Sequence, residues 1–336
     1  MDLMECLGAL STLSDQGTVS RTESNLKMIP ASFYIPKNKP LKPLGDDAHF
    51  ICEPEQTIGV ADGVGSWSKK GIDAGIYARE LMSNAADSVR DEMKKYGVVI
   101  PKRVLSKAFL NTKAEGSSTA CIITLQGEFL HCANVGDSKF VLIRENKIVF
   151  RSPVQQTKFN CPYQLGKMSN TPSVAEEFAC KVQEGDVIIA GTDGLFDNVD
   201  EKELETLVFM GLQEDIKPEL LAKKIAMYAH AQAKDPRACT PFQRESIRAG
   251  FQRFGGKYDD ITVVVALIMS TSIAPWIPVW ETTPAEFCGE TLVDSPGPRF
   301  YFTHPLVMLS LYDLPFSLES PDLVSQSRCP LNDYIN

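Results

Sequence analysis

The sequence predicts an α+β fold in which two antiparallel β-sheets pack face to face and helices cover them from outside. Three observations predict it. Short apolar runs follow one another with links too brief for a parallel crossover, which needs a dozen residues or more. Helical stripes are grouped between blocks of such runs instead of alternating with them. The chain has 336 residues and 43% hydrophobic content, enough for one large core or two small ones.

Residues 1–25 are expected to be a flexible lead-in. Asp2, Glu5, Asp15 and Glu23, with no basic leader and no Arg-rich amphipathic stretch, count against a signal or transit peptide. Pro30, Pro36, Pro40 and Pro43 make 26–45 an extended arm and not a helix. "AHFICE" (48–53) and "TIGVAD" (57–62) read as strands joined by a tight link. Over 72–94 the period changes. Ile72, Ile76, Tyr77, Leu81, Ala85, Val89 and Met93 fall on one helical stripe, and a shorter helix fits 102–113.

Strands then return as "STACIITLQG", "FLHCANVGDS", "KFVLIREN" and "KIVFRS". Gln126-Gly127-Glu128 and Glu145-Asn146 have hairpin-turn chemistry. "EEFACKV" and "DVIIAGTDG" read as a further antiparallel pair about Glu184-Gly185. Helical patterns occupy roughly 200–212, 217–233 and 241–253, and "DDITVVVALIM" closes the domain, 26–269. Residues 270–336 hold nine prolines and no lysine, with eight Asp or Glu against Arg299 and Arg328. That composition predicts an acidic, Pro-rich, disordered tail.

The formal charge of −9 argues against nucleic acid. No apolar run approaches the 18 or so residues that span a bilayer. Nine cysteines without a C-x-x-C pair read as reduced intracellular thiols. A monomer is expected.

One dipeptide recurs at strand ends. "GVADGVGSW" ends an apolar run in Asp62-Gly63, and "VIIAGTDGLFDN" ends another in Asp193-Gly194. "PLGDDAHF" places Asp46 and Asp47, and "GGKYDDITVVV" places Asp259 and Asp260, immediately before strands. Asp-Gly alone is an ordinary turn. Four such points together would repel unless they share cations, and oxygen-only ligation suits Mg²⁺ or Mn²⁺. Gly63, lacking a Cβ, lets its backbone approach closely and lend a carbonyl. Two such cations activate a water and clamp phosphoryl oxygens, so phosphate-ester hydrolysis leads. His49, His131, His230 and His304 have no ligand spacing, and no phosphate-binding P-loop is present.

In "GDDAHF", "VADGVGSW", "GSSTACIITL", "ANVGDS", "AGTDGLFDN" and "GGKYDDITVVV", taken in order over residues 30–269, the chain resembles the metal-dependent protein serine/threonine phosphatases of the protein phosphatase 2C family. "GVGSW", "SPVQQ" and "TPF" resemble its plant and fungal organellar subgroup. The resemblance implies a β-sandwich flanked by helices with two Mg²⁺ or Mn²⁺ at one end. It implies that Asp62 bridges both metals, that Gly63 gives its carbonyl to one, and that Asp193 and Asp259 complete the other. Asp47 would hold a metal-bound water, and Asp197 would serve a weaker third metal. A metal-bridging hydroxide would attack phosphoserine or phosphothreonine on protein substrates, with no phosphoenzyme intermediate.

Three departures stand out. Val64 occupies the position after Asp-Gly where many relatives carry a histidine proposed as general acid. Gln156 stands where many carry an acidic residue of the third metal site. The usual upstream phosphate-binding arginine has no clear match, and Lys42 is the nearest cation. Asp260 reads as a turn hydrogen-bonder, Asp137 as a hairpin residue, Trp67 as core, and Ser117, Ser118 and Thr119 as strand entry. A non-catalytic phosphoprotein binder and a hydrolase of small phosphoesters are the alternatives. The subgroup points to plastid or mitochondrion, and the acidic start points to cytosol or nucleus.

Overall fold

A computed structural model describes residues 25–37 and 43–271. In chain order the strands are β1 (Leu26–Ile35), β2 (Asp47–Cys52), β3 (Thr57–Asp62), β4 (Ala120–Gln126), β5 (Phe129–Val135), β6 (Lys139–Arg144), β7 (Lys147–Arg151), β8 (Gln156–Lys158), β9 (Cys161–Pro162), β10 (Glu176–Lys181), β11 (Val187–Gly191) and β12 (Ile261–Ser270). The helices are α1 (Ala74–Tyr96), α2 (Pro101–Asn111), α3 (Asp193–Phe196), α4 (Glu201–Gln213), α5 (Pro218–Lys234) and α6 (Pro241–Arg248). The lead-in, Lys42 and the tail beyond 271 lie outside the described residues.

One sheet runs β1-β12-β11-β6-β7 and the other β10-β5-β4-β3-β2, with every pairing in both antiparallel. Helices α1 and α2 pack on the second sheet, and α5 packs on β1 and β12 of the first. Alternation along the strands builds the layers. On β4, Ala120 and Ile122 face the α1–α2 layer, while Cys121, Ile123 and Leu125 face the opposite sheet. On β12, Val264, Ala266 and Ile268 fill the space between the sheets, while Ile261, Val263 and Val265 lie under the helices. Burial on both faces explains why these strands read as continuous apolar runs.

Local signals set the element ends. Asp73 caps α1 by accepting from the Gly75 N–H, and Gly97 ends it in the left-handed region at φ 67°, where a Cβ would be penalised. Asp200 and Glu203 form a reciprocal capping box on α4. Glu145 and Asn146 both have positive φ (49° and 63°), the type I′ geometry that matches strand twist. Helix α6 stops at Arg248, short of the expected 253, and Gly250 turns the chain away with φ 81°.

Three expectations are corrected. The 26–35 arm is a ten-residue strand. Its Pro30 is accommodated because β1 is an edge with a single partner, β12, so a missing N–H costs less there. "EEFACKV" and "DVIIAGTDG" do not pair with each other. β10 pairs with β5 and β11 with β6 and β12, so the link between them crosses from one sheet to the other. The β5–β6 link crosses in the same way. A short link demands only that the next strand start nearby, and in a sandwich the facing sheet is nearby.

Phe140 of β6 and Phe150 of β7 meet Phe178 of β10 across the two sheets, with the Phe140 ring centroid 5.6 Å from that of Phe150 and 6.0 Å from that of Phe178. Phe140 is fully buried. Phe140→Ala is therefore expected to cost about 3–5 kcal/mol, measured by urea unfolding; a loss below about 1 kcal/mol would refute the cluster's role in joining the sheets.

Candidate metal centre

The β5–β6 crossing link and several strand ends bring acidic residues together at one end of the sandwich. Asp47 opens β2 and Asp62 ends β3, and the two are register partners across the β2–β3 hairpin. Asp193 follows β11 as the first residue of α3, and Asp197 is its C-cap. Asp259 immediately precedes Asp260 and β12, and Asp137 sits on the β5–β6 link.

Each carboxylate has its own environment. Asp47 is 3% exposed. Its Oδ2 accepts from the Thr192 and Thr262 hydroxyls, both at 2.7 Å, while its Oδ1 is buried without a partner. Burial, then the charge of Asp260, holds its pKa well above the usual carboxylate range. Asp62 is partly exposed, and its pKa is raised by burial and by Asp193, Asp47 and Asp259, against the opposing pull of Lys257. Asp137 is pushed up to about 7 by burial and then by Asp193. Its Oδ2 accepts from Gln156 Nε2 at 2.8 Å, and its Oδ1 is unpartnered, as is Oδ1 of Asp193. Buried oxygens left without donors, with neighbouring charges raising the carboxyls of Asp47, Asp62 and Asp137, are what a cation site looks like before the cation is counted.

Lysine supplies the positive charge that is present. Lys257 Nζ contacts Asp193 Oδ2, lies 2.9 Å from Asp197 Oδ2 and 3.6 Å from Asp259 Oδ2. Lys37 Nζ lies 3.4 Å from Asp259 Oδ1. Among the described residues, no three His, Cys, Asp or Glu side chains converge in a geometry ready to hold an ion; Asp193, Asp197 and Asp259 converge instead on the ammonium of Lys257. The donor set nevertheless fits hard divalent cations, since it is all oxygen and several atoms are unpaired.

Gly63 has no room for a side chain. A Cβ there would lie 2.5 Å from the Asp46 carbonyl oxygen and 2.7 Å from that of Ala74. Its N–H donates to Asp46 O at 3.0 Å, which ties the turn after β3 to the turn before β2. Val64 follows with its N–H bonded to Ser117 O at 2.9 Å and offers no proton to a leaving group.

Asp260 is the turn hydrogen-bonder that the sequence suggested. Its Oδ1 lies 2.9 Å from the Tyr34 hydroxyl and 2.7 Å from the Lys37 N–H, and its Oδ2 accepts from the Asp46 N–H at 3.1 Å. It ties β1, the Asp46 turn and β12 together beneath the centre. Asp137, expected in a hairpin, is a correction: it lies on the β5–β6 link, which crosses between the sheets, and it joins the acidic cluster beside Asp193. Trp67 is a correction: it lies in a short 3-10 helix with no buried residue, and its Nε1 donates to Ser117 Oγ at 2.6 Å. Its packing is polar-anchored, not core.

Sequence reasoning missed Lys37 and Lys257. The signal for Lys257 was its place two residues before Asp259 in "GGKYDD". Both lysines line a cleft of about 430 Å³ beside the carboxylates, together with Phe242, Arg253, Phe254 and Tyr258.

Comparison with known proteins agrees with this architecture. The family described as Stage II sporulation protein E (SpoIIE) matches residues 55–268. The chain is 48% identical over 260 residues to probable protein phosphatase 2C 55 of Arabidopsis thaliana, covering 77% of this chain and 55% of that protein. It spans about half to three-fifths of the length of the first curated relatives it matches. The X-ray structure of the photosystem II phosphatase PBCP is similar with a TM-score of 0.66 at 29% identity, over 71% of this chain and 98% of that one. The catalytic domain of the serine threonine phosphatase PstP, solved with two manganese ions, shares the fold at a TM-score of 0.52 and 14% identity, over 73% of this chain and 100% of that one.

Proposed function

The chain belongs to the protein phosphatase 2C family, and from that membership we propose that it hydrolyses phosphoserine and phosphothreonine esters of proteins with the help of divalent cations. The observation that carries the reading is the cluster of Asp47, Asp62, Asp137, Asp193, Asp197 and Asp259, with buried oxygens that no donor satisfies.

Asp62, Asp193 and Asp259, with the Gly63 carbonyl, would hold two Mg²⁺ or Mn²⁺, and Asp197 would serve a weaker third. When bound, such a pair supplies an activated water and neutralises phosphoryl oxygens. The protein's own residues do the rest. Thr192 and Thr262 fix one oxygen of Asp47 and leave the other to orient solvent at the centre. Gln156 holds Asp137, restraining a carboxylate crowded by burial and by Asp193. The cleft cations Lys37, Arg253 and Lys257 are suited to an anionic ester approaching from that side.

Direct attack by water, without a phosphoenzyme, is supported by the state of the nearby hydroxyls. Thr119 Oγ1 is 2.6 Å from Ser138 Oγ and accepts from the Asp62 N–H. Ser117 Oγ donates to Gln164 and accepts from Trp67. Neither has a base to activate it. With Val64 aprotic, the departing alkoxide would take its proton from solvent. Residues 26–269 are proposed to suffice for this activity.

The test is phosphate release from a phosphothreonine peptide with Mn²⁺, with Mg²⁺ and with EDTA. Turnover that requires either ion is expected. No turnover with either, from protein shown to be folded, would replace this reading with that of a non-catalytic phosphoprotein binder.

A further inference from the structure

We propose that Lys257 is a tethered counter-ion that occupies the carboxylate site in the absence of divalent ions and must be displaced when they enter, so that it sets the affinity of the site for metal. The inference rests on the divalent-cation reading above and concerns how the centre is loaded.

The position of the ammonium argues for it. Its Nζ reaches Asp193, Asp197 and Asp259 at once, and the Lys257 side chain is 14% exposed. Three carboxylates from two separate segments thus converge on one ammonium. A dication on the same oxygens would sit within a few ångströms of that charge, in surroundings that screen poorly. The two cations are therefore alternatives for one set of ligands, not neighbours.

The backbone beneath the side chain is fixed, so the competition is local. Asn198 brackets Lys257, accepting from its N–H at 2.8 Å and donating to its carbonyl at 2.8 Å. Gly256 packs so tightly that a Cβ would lie 2.0 Å from the Gln232 carbonyl oxygen. Only the four-carbon stem is free to swing. Beside it lies the open cleft of about 430 Å³, and the Phe242 ring, its centroid already 5.4 Å from Nζ, flanks the ammonium on that side, a contact favourable to a cation. The displaced ammonium stays at the centre's rim, on the side from which an anionic substrate approaches.

A single lysine also neutralises the cluster only in part. Oδ1 of Asp47, Asp137 and Asp193 remain unpartnered with Lys257 in place. The lysine thus holds the site together without satisfying it, the condition for a competitor that yields to a stronger cation.

The experiment compares Mn²⁺ binding to the wild type, Lys257→Met and Lys257→Arg by isothermal titration calorimetry, with melting of each protein in EDTA. Removing the competitor should tighten the Mn²⁺ Kd by about tenfold or more, since the ligand set no longer has to be vacated first. The EDTA-treated Met variant should melt lower than wild type, and the Arg variant should bind Mn²⁺ as wild type does. An unchanged or weaker Kd in the Met variant, with normal binding by the wild type, would overturn this inference alone. Failure of the wild type to bind Mn²⁺ would overturn the cation reading with it. A second measurement needs no variant. Acetylation of Lys257 in the wild type, followed by peptide mass spectrometry, should be several-fold faster with Mg²⁺ than with EDTA, while surface Lys147 is unaffected. Equal or slower labelling with Mg²⁺ would sink the proposal even if the Met variant did not fold.

Discussion

Asp62→Asn is expected to lower phosphate release on the order of a thousandfold or more while leaving the metal-free protein at least as stable as wild type. The two halves of this expectation have one cause. Asp62 stands between Asp47, its cross-strand partner, and Asp193 and Asp259, and burial and these charges all push its carboxyl toward the neutral form. A group so placed destabilises the empty fold, and its charge is useful only when cations share it. Asparagine keeps the shape and loses the anion. The backbone of Asp62 stays pinned by Thr119, whose Oγ1 accepts from its N–H at 2.9 Å and whose own N–H donates to its carbonyl at 2.9 Å. A stability cost is therefore not expected from local disorder. Peptide turnover and a melting curve in EDTA check both parts. A variant that keeps a tenth of wild-type activity would remove Asp62 from the centre, and one that melts far lower would make its role structural.

The second large effect is an inverted pH dependence. In the metal-free protein, stability should fall as pH rises from about 4 to about 7. The sign follows from proton counting. The Asp137 carboxyl is raised from 3.8 to about 7, and those of Asp47 and Asp62 are raised well above 3.8. Between the unfolded and folded values the native state binds more protons than the unfolded chain, so each step up in pH favours unfolding. Carboxylates shifted the other way do not mask this. Glu92, buried but bonded by Arg103 and Lys107, is lowered, as are Glu201, bonded chiefly by Arg151, and Glu205, bonded by the Ile148 N–H and Lys147. Their stabilisation is lost only below the ordinary glutamate value of 4.5. Divalent cations need the deprotonated ligands, so saturating Mn²⁺ should stabilise strongly at pH 7.5 and little at pH 5.5. Melting temperatures at both pH values, with EDTA and with Mn²⁺, decide it. A metal-free protein that grows more stable from pH 5.5 to 7.5 would contradict the carboxylate environments described.

These two expectations depend on residues that the sequence revealed very unevenly. Asp62, Asp193, Asp259 and Asp47 were legible because the same arrangement, an apolar strand abutting an acid, occurs four times, and repetition is visible without coordinates. Gly63 was legible for its freedom, though the reason the structure supplies is collision with two carbonyls. Lys257 was not legible. A search for ligands looks for acids and imidazoles, and a lysine beside them reads as a solvated face until its ammonium is seen among three carboxylates. Asp137 was hidden by its turn. The hairpin β2–β3 followed from its tight link and β4–β5 and β6–β7 from their turn chemistry, while the sheet-crossing links β5–β6 and β10–β11 were not foreseen. A turn dipeptide reports local backbone geometry, whereas the choice between pairing and crossing is made by the other sheet. β1 was masked by Pro30, since sequence cannot say that a strand will lie at an edge.

That edge strand has a consequence for how the molecule comes into being. β1 begins the described domain and β12 ends it, yet they pair along ten residues, from Leu26 with Ser270 to Ile35 with Ile261, and the Thr271 N–H donates to Asn25 O. β12 also lies against β11, so β1 stays detached from β11, β6 and β7 until the last strand arrives. During synthesis, β1 must wait for more than two hundred residues to be made before it meets its partner. The β2–β5 hairpins, whose partners are close in the chain, can form while the ribosome is still at work. The acidic centre draws on both sheets, so it is assembled last. Joining the chain at Asn25 and Thr271 and opening it elsewhere, for instance at the exposed turn Glu145-Asn146, would bring β12 and β1 into immediate succession and reverse that order of events.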